Sequence, residues 1–173
     1  MDDDLLRLDP YNDEGALRVF VEAPRGSSLK FEYDPHLGVF SVSRELPLGV
    51  TYPFDWGFIP GTLGDDGDPL DALVLHHSST YPGVLLPCRI LGMVEIVQRE
   101  GKGRPEVNNR IIATPCWHTA LDDLEEARDL PKTAREQLEQ FFLTTATLTE
   151  KRLKIKGWAT RRDTEKFIAK SLA

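Results

Sequence analysis

The sequence predicts a mainly β chain of the α+β class, an antiparallel barrel or sandwich carrying helices at one side. Two observations carry that prediction. Apolar residues recur at every second position in segment after segment between Leu17 and Thr114, whereas a 3.6-residue period appears only after Pro131. The chain holds no internal repeat and no low-complexity run, so its 173 residues are expected to form one domain over 1–173, with an acidic mobile tail over 1–14.

Taken in order, Leu17 to Glu22 has the apolar, β-branched character of a strand and stops at Pro24. Ser28 to Tyr33 alternates, with Leu29, Phe31 and Tyr33 opposite Lys30 and Glu32, and Asp34-Pro35-His36-Leu37-Gly38 turns it into a return strand over Val39 to Arg44. Val50, Tyr52, Phe54, Trp56 and Phe58 repeat at period two until Pro60-Gly61. A strand over Ala72 to Leu75 and a long one from Gly83 to Val97, bent by Pro87 and Gly92, come next. Gln98 to Asn109 reads as a charged loop, and Arg110 to Thr114 as a short strand. Pro131 suits a first helical turn, and Ala134, Leu138, Phe141 and Phe142 form one stripe, predicting a helix to about Thr145. Leu153 and Ile155 alternate with Arg152, Lys154 and Lys156 in a last strand. Thr160 and Asp163 have capping-box spacing ahead of a closing helix through Phe167, Ile168 and Leu172.

A hydrophobic content of 40% and a charged content of 28% suit a soluble globular protein. The net charge of −7 argues against nucleic acid as the main partner, because a polyanion binder normally carries a basic face, but it leaves room for a compact anion held between metals and cationic side chains. Cys88 and Cys116 are far apart in apolar company and are expected to be buried free thiols. Met1 to Asp13 lacks the apolar segment of a signal peptide or membrane anchor, which makes the cytoplasm the expected compartment and no membrane a partner.

The densest chemistry lies in Leu63 to His77, where four aspartates, two glycines and a proline precede an apolar run. Carboxylates this close raise one another's pKa unless a cation sits among them, which points to a hard metal ion and to Asp66, Asp68 and Asp71. Asp71 has the opposite parity to the other two in an extended chain, so all three converge only if the chain bends near Gly67 and Pro69. An EF-hand register fails, since it would put Leu70 at a side-chain ligand position and Asp71 at the glycine. An acidic surface turn is the alternative reading of the cluster.

Glu22, Lys30, Glu32 and Arg44 fall where one polar face of a small barrel would gather them, although each alone reads as an ordinary surface charge. Together with a metal-binding carboxylate set they supply what hydrolysis of a phosphoanhydride requires. The aromatic run Tyr52 to Phe58 reads as core, with a Tyr or Trp at the rim able to donate a hydrogen bond to phosphate. His36, His76, His77 and His118 lack zinc spacing, and Gly101-Lys102-Gly103 lacks the rest of a nucleotide loop.

Asp66-Gly67-Asp68-Pro69-Leu70-Asp71 resembles the signature of the soluble, magnesium-dependent inorganic pyrophosphatases. Val21-Glu22-Ala23-Pro24, Lys30-Phe31-Glu32, Arg44, Tyr52-Pro53-Phe54-Asp55-Trp56-Gly57-Phe58, Thr62-Leu63, Pro82-Gly83, Phe141-Phe142 and Gly157-Trp158 match that family in order and spacing. The resemblance implies an OB-like five-stranded antiparallel barrel with two flanking helices, Mg2+ as cofactor, pyrophosphate as substrate with phosphate as product, and a homohexamer. It further implies Asp66 and Asp71 as metal ligands with Asn108 at a third ligand position, and Asp68 as the group that helps activate water. Glu22 and Glu32 become auxiliary carboxylates and Tyr52 a further catalytic group, with Lys30, Arg44, Trp56 and Arg110 on the substrate.

This chain also departs from the family pattern. Gln98 and Asn108 stand near positions where the family has carboxylates, with Glu100 and Glu106 as substitute ligands to weigh, and Arg110 replaces a lysine. Trp56 replaces a phosphate-contacting tyrosine, and Thr145-Ala146 a Tyr-Lys pair. Three functions are compatible with that mixture: pyrophosphate hydrolysis by metal-activated water at reduced or altered rate, a catalytically impaired phosphate-binding or assembly protein, and a hydrolase of another phosphoanhydride.

Overall fold

A computed structural model describes residues 5–173. The strands are β1 (Leu17–Ala23), β2 (Leu29–Asp34), β3 (Val39–Glu45), β4 (Asp55–Ile59), β5 (Leu70–Val74), β6 (Leu85–Glu100), β7 (Glu106–Val107), β8 (Arg110–Pro115) and β9 (Lys151–Ala159). Two helices, α1 (Lys132–Thr145) and α2 (Arg161–Lys170), come late in the chain. The ladder runs β1-β4-β5-β8-β6, and β6 pairs back onto β1, so five strands close a barrel. Four of its seams are antiparallel, whereas β5 and β8 pair in parallel, in the register Ala72↔Ile111 to Val74↔Ala113. The hairpin β2–β3 is a separate two-stranded sheet, and β7 and β9 extend the free end of β6.

Two apolar clusters hold these elements. One joins Val19, Val21, Ile59, Val74 and Ile111 with Ile168 of α2, and the other joins Leu73, Leu91, Ile96 and Ile112 with Leu138 and Phe142 of α1. Each helix is thus fastened by side chains worth about 1.5–3 kcal/mol apiece when fully buried. Helix α2 begins at Thr160, whose hydroxyl accepts a hydrogen bond from the Asp163 amide at 3.0 Å. Thr160→Ala is expected to cost about 1 kcal/mol in urea unfolding, with the denaturant slope unchanged.

Several elements differ from the sequence reading. Strand β4 starts only at Asp55, because Pro53 has no amide to give a ladder and Tyr52 instead exchanges backbone bonds with the 26–27 turn (Tyr52 N to Ser27 O 3.0 Å, Gly26 N to Tyr52 O 2.9 Å). The expected Gln98–Asn109 loop is a hairpin. β6 continues through Gln98, Arg99 and Glu100, paired with Leu153, Arg152 and Lys151 of β9, and Gln98 also faces Glu106 of β7. Both cysteines are free, but only Cys88 is buried; Cys116 lies just past the end of β8 and is exposed.

The tail expected over 1–14 falls partly outside the described residues, which begin at Leu5. Leu5–Arg7 forms one 3-10 turn, Gly61 N bonds Leu6 O at 2.7 Å, and Tyr11 bridges Leu17. No helix among the described residues is long and apolar enough to cross a membrane.

Candidate active site

Glu22, Lys30, Glu32, Arg44, Tyr52, Trp56, Asp66, Asp68, Asp71, Asn108 and Arg110 all line one cavity of about 440 Å³. They reach it from separate elements. Glu22 comes from β1, while the hairpin supplies Lys30, Glu32 and Arg44, with Lys30 opposite Arg44 in the β2–β3 register. Asp66 and Asp68 come from the loop before β5, and Asp71 from β5 itself. The loop bends at Gly67, whose φ of 88° lies in the left-handed region that favours glycine, and Gly64 N closes it onto Asp68 O at 2.8 Å. That bend brings residues of opposite strand parity to one wall.

The three aspartates are held differently. Asp71 Oδ2 pairs with an Arg110 guanidinium nitrogen at 2.5 Å, and Asp66 Oδ2 accepts from Asn108 Nδ2 at 2.8 Å and from Gln98 Nε2 at 3.3 Å. The same Arg110 nitrogen donates to Asn108 Oδ1, so Asp71, Arg110, Asn108, Asp66 and Gln98 form one hydrogen-bonded chain. Among the described residues the Asp68 carboxylate makes no hydrogen bond or ion pair; only its backbone is engaged. Desolvation and the charges of Asp66 and Asp71 raise its pKa. Asp71 is raised as well, by desolvation, against the opposing charge of Arg110.

Burial, helped by the charge of Asp71, pushes Glu22 up to about 8, even though its Oε1 accepts from the Tyr33 amide at 3.1 Å. Glu22 is therefore mostly protonated at neutral pH. Glu32 goes the other way: partial burial raises it, but the hydrogen bond and charge of Lys30 outweigh that and hold it ionised. Burial raises the Tyr52 phenol, which keeps its proton. Arg44 is aimed by the end of α1, donating to Thr145 O at 2.9 Å, and the Arg110 guanidinium lies 5.2 Å from the Trp56 ring centroid.

Sequence reasoning missed Lys151. It lines the cavity from the start of β9, and its charge lowers Asp68, Asp71 and Glu32. Among the described residues it has no ion-pair partner within salt-bridge distance. The signal was available, since Lys151 shares the inward parity of Leu153 and Ile155 in a strand that alternates half-buried and exposed. Gln98 also lines the wall, whereas Glu100 and Glu106 do not. Buried Asp55 and His76 form a separate polar cluster with half-buried Thr80, Asp55 Oδ2 accepting from Thr80 at 2.6 Å and lying 2.8 Å from His76 Nε2.

The donor set suits a hard divalent cation, being all carboxylate oxygen and self-repelling. Among the described residues no three His, Cys, Asp or Glu side chains enclose an ion unaided. Magnesium does not need such a cage, because it is commonly held by one or two carboxylates, its own waters and substrate phosphates.

A closed five-stranded barrel with acidic and basic groups on one cavity has the charge pattern of a site for a small phosphorylated anion beside a divalent cation. Comparison with known proteins narrows it. The model of the family described as inorganic pyrophosphatase matches residues 19–173. The inorganic pyrophosphatase of Thermus thermophilus is 36% identical over 149 residues, 84% of this chain and 82% of that protein, and that of Saccharolobus solfataricus is 36% identical over 90% of each. A crystal structure of the Thermus thermophilus enzyme superposes with a TM-score of 0.86 at 33% identity, covering 96% of this chain and 95% of that one, and the Helicobacter pylori enzyme with 0.84 at 29% identity, covering 95% of each. The chain belongs to the inorganic pyrophosphatase family. Membership implies a divalent metal cofactor.

Proposed function

We propose that this protein hydrolyses inorganic pyrophosphate to two phosphates in the cytoplasm, with Mg2+ as cofactor, as one domain spanning 1–173. The observation that carries this reading is that five carboxylates and four cationic side chains converge on one cavity in a barrel of that family. Asp66 and Asp71 would hold magnesium, which when bound makes a nucleophile of water and neutralises phosphate charge, while Asn108, with both ends of its amide engaged, orients Asp66.

The chain's own groups do the rest. Asp68, an unengaged carboxylate made more basic by burial and by the charges of Asp66 and Asp71, takes the proton of the attacking water. Lys30, Arg44 and Arg110 bind phosphate oxygens, with Glu32 orienting Lys30 and the Trp56 ring backing Arg110. Tyr52 keeps its proton and donates it in a hydrogen bond to a phosphate oxygen, and protonated Glu22 stands beside Asp71 without adding charge. Lys151 supplies a fourth cation from the cavity wall at the start of β9. Lys151→Ala is expected to lower kcat/KM about 10- to 100-fold, the worth of one charged hydrogen bond, with Lys151→Arg recovering most of it in the same assay.

Phosphate release from pyrophosphate in saturating Mg2+ tests the reading. Release that stops with EDTA and returns with Mg2+ supports it; calorimetric binding of pyrophosphate without release sinks it. A homohexamer is the expected assembly, with apolar Leu37, Val39 and Val42 exposed at the hairpin as surface to bury, and light scattering checks it.

A further inference from the structure

Two neutral amides stand against the aspartates of the cavity. Backbone pairing puts them there: Gln98 lies in β6 opposite Glu106 of β7, and Asn108 N bonds Ile96 O at 2.9 Å, so the hairpin folds both side chains onto the same carboxylate. Asp66 Oδ2 accepts a hydrogen bond from each, at 3.3 and 2.8 Å. Asn108 is used at both ends, since its Oδ1 accepts from Arg110. Gln98 is not. It is 3% exposed, and its Oε1 is buried at the cavity wall without a hydrogen-bond partner among the described residues. Such an oxygen is rare in a folded protein, and a single bound water would satisfy it without bringing charge to the wall.

We infer that Gln98 and Asn108 set how many divalent cations the cavity holds, by presenting amide protons to Asp66 where carboxylates would demand a further cation. The inference rests on the metal-dependent reading above. Its physical basis is charge: a hard dication's affinity follows the number of anionic ligands, and the cavity already sets four cationic side chains against its five carboxylates. An amide pair therefore orients Asp66 without deepening the negative potential. Carboxylates at these two positions would replace donors by acceptors, repel Asp66 and create a place for another ion.

The test is equilibrium dialysis with Mn2+ on the full chain, counting bound ions by electron paramagnetic resonance, with circular dichroism as the folding check. The double variant Gln98→Glu/Asn108→Asp is expected to bind one more Mn2+ per chain than the parent. Gln98→Ala/Asn108→Ala removes the donors without adding charge and should bind no more than the parent. If the double carboxylate variant does not fold, Asn108→Asp alone carries the test, with total Mn2+ affinity expected to rise about tenfold or more. Equal ion counts in the parent and the folded double variant, an equal gain in the alanine variant, or an unchanged affinity in Asn108→Asp would each overturn the inference. Phosphate release by the parent is scored separately: a parent without turnover whose carboxylate variant still gains an ion sinks the pyrophosphatase reading alone, and an active parent whose variant gains none sinks this one alone.

Discussion

Replacing Asp68 with asparagine is expected to lower kcat for pyrophosphate hydrolysis by about 10²- to 10⁴-fold, the usual effect of losing a positioned general base, with a much smaller change in KM. Among the three aspartates it alone has a carboxylate free of hydrogen bonds and ion pairs within the described residues, whereas Asp66 is held by two amides and Asp71 by Arg110. A free carboxylate whose pKa is raised by burial and by like charges is a stronger proton acceptor than an ordinary surface aspartate. Asparagine keeps the shape and the loop's backbone bonds but cannot take the proton. Steady-state phosphate release decides it: an Asp68→Asn enzyme within about tenfold of the parent would remove Asp68 from the role of base.

Gly57→Ala should be the most damaging single-methyl change to the fold. A Cβ on Gly57 would lie 1.8 Å from Phe20 O and 2.7 Å from Phe20 C, both backbone atoms of the neighbouring strand β1. No side-chain rotation relieves a clash with a ladder. The seam must part, at a cost of about 3 kcal/mol or more. Gly57 pairs with Val21, one residue before Glu22, so the same displacement also moves a carboxyl of the cavity. Urea unfolding should show the loss of stability, and kcat at a concentration where the variant is still folded should fall with it. A variant with parental stability would mean that β1 and β4 yield far more easily than their register suggests.

The period-two segments marked most of the barrel, and the opposed parities of Asp66, Asp68 and Asp71 pointed to a bend that Gly67 makes. Other features had no local signal. Arg99, Glu100 and the Gly/Pro residues after them read as loop because strand propensity is local, while the end of β6 is extended through its pairing with β9, more than fifty residues away in sequence. The parallel β5–β8 seam is likewise a matter of chain path, since a parallel strand has the same alternation as an antiparallel one. Cys116 sits in apolar company in the sequence but just past the strand end, so its neighbours' burial does not extend to it. Lys151 was legible in the same alternation, which reaches the cavity when continued two residues back from Leu153 and Ile155.

The guanidinium of Arg110 resting on the Trp56 indole gives the protein a built-in optical probe. Indole emission responds to the charge lying on the ring, so drawing Arg110 toward an incoming anion changes the light that Trp56 gives out. Trp117 and Trp158 do not line the cavity and are expected to contribute a background that ligand leaves unchanged. Titrating pyrophosphate into the unlabelled chain is therefore expected to change its tryptophan emission, and that change would follow occupancy without a label.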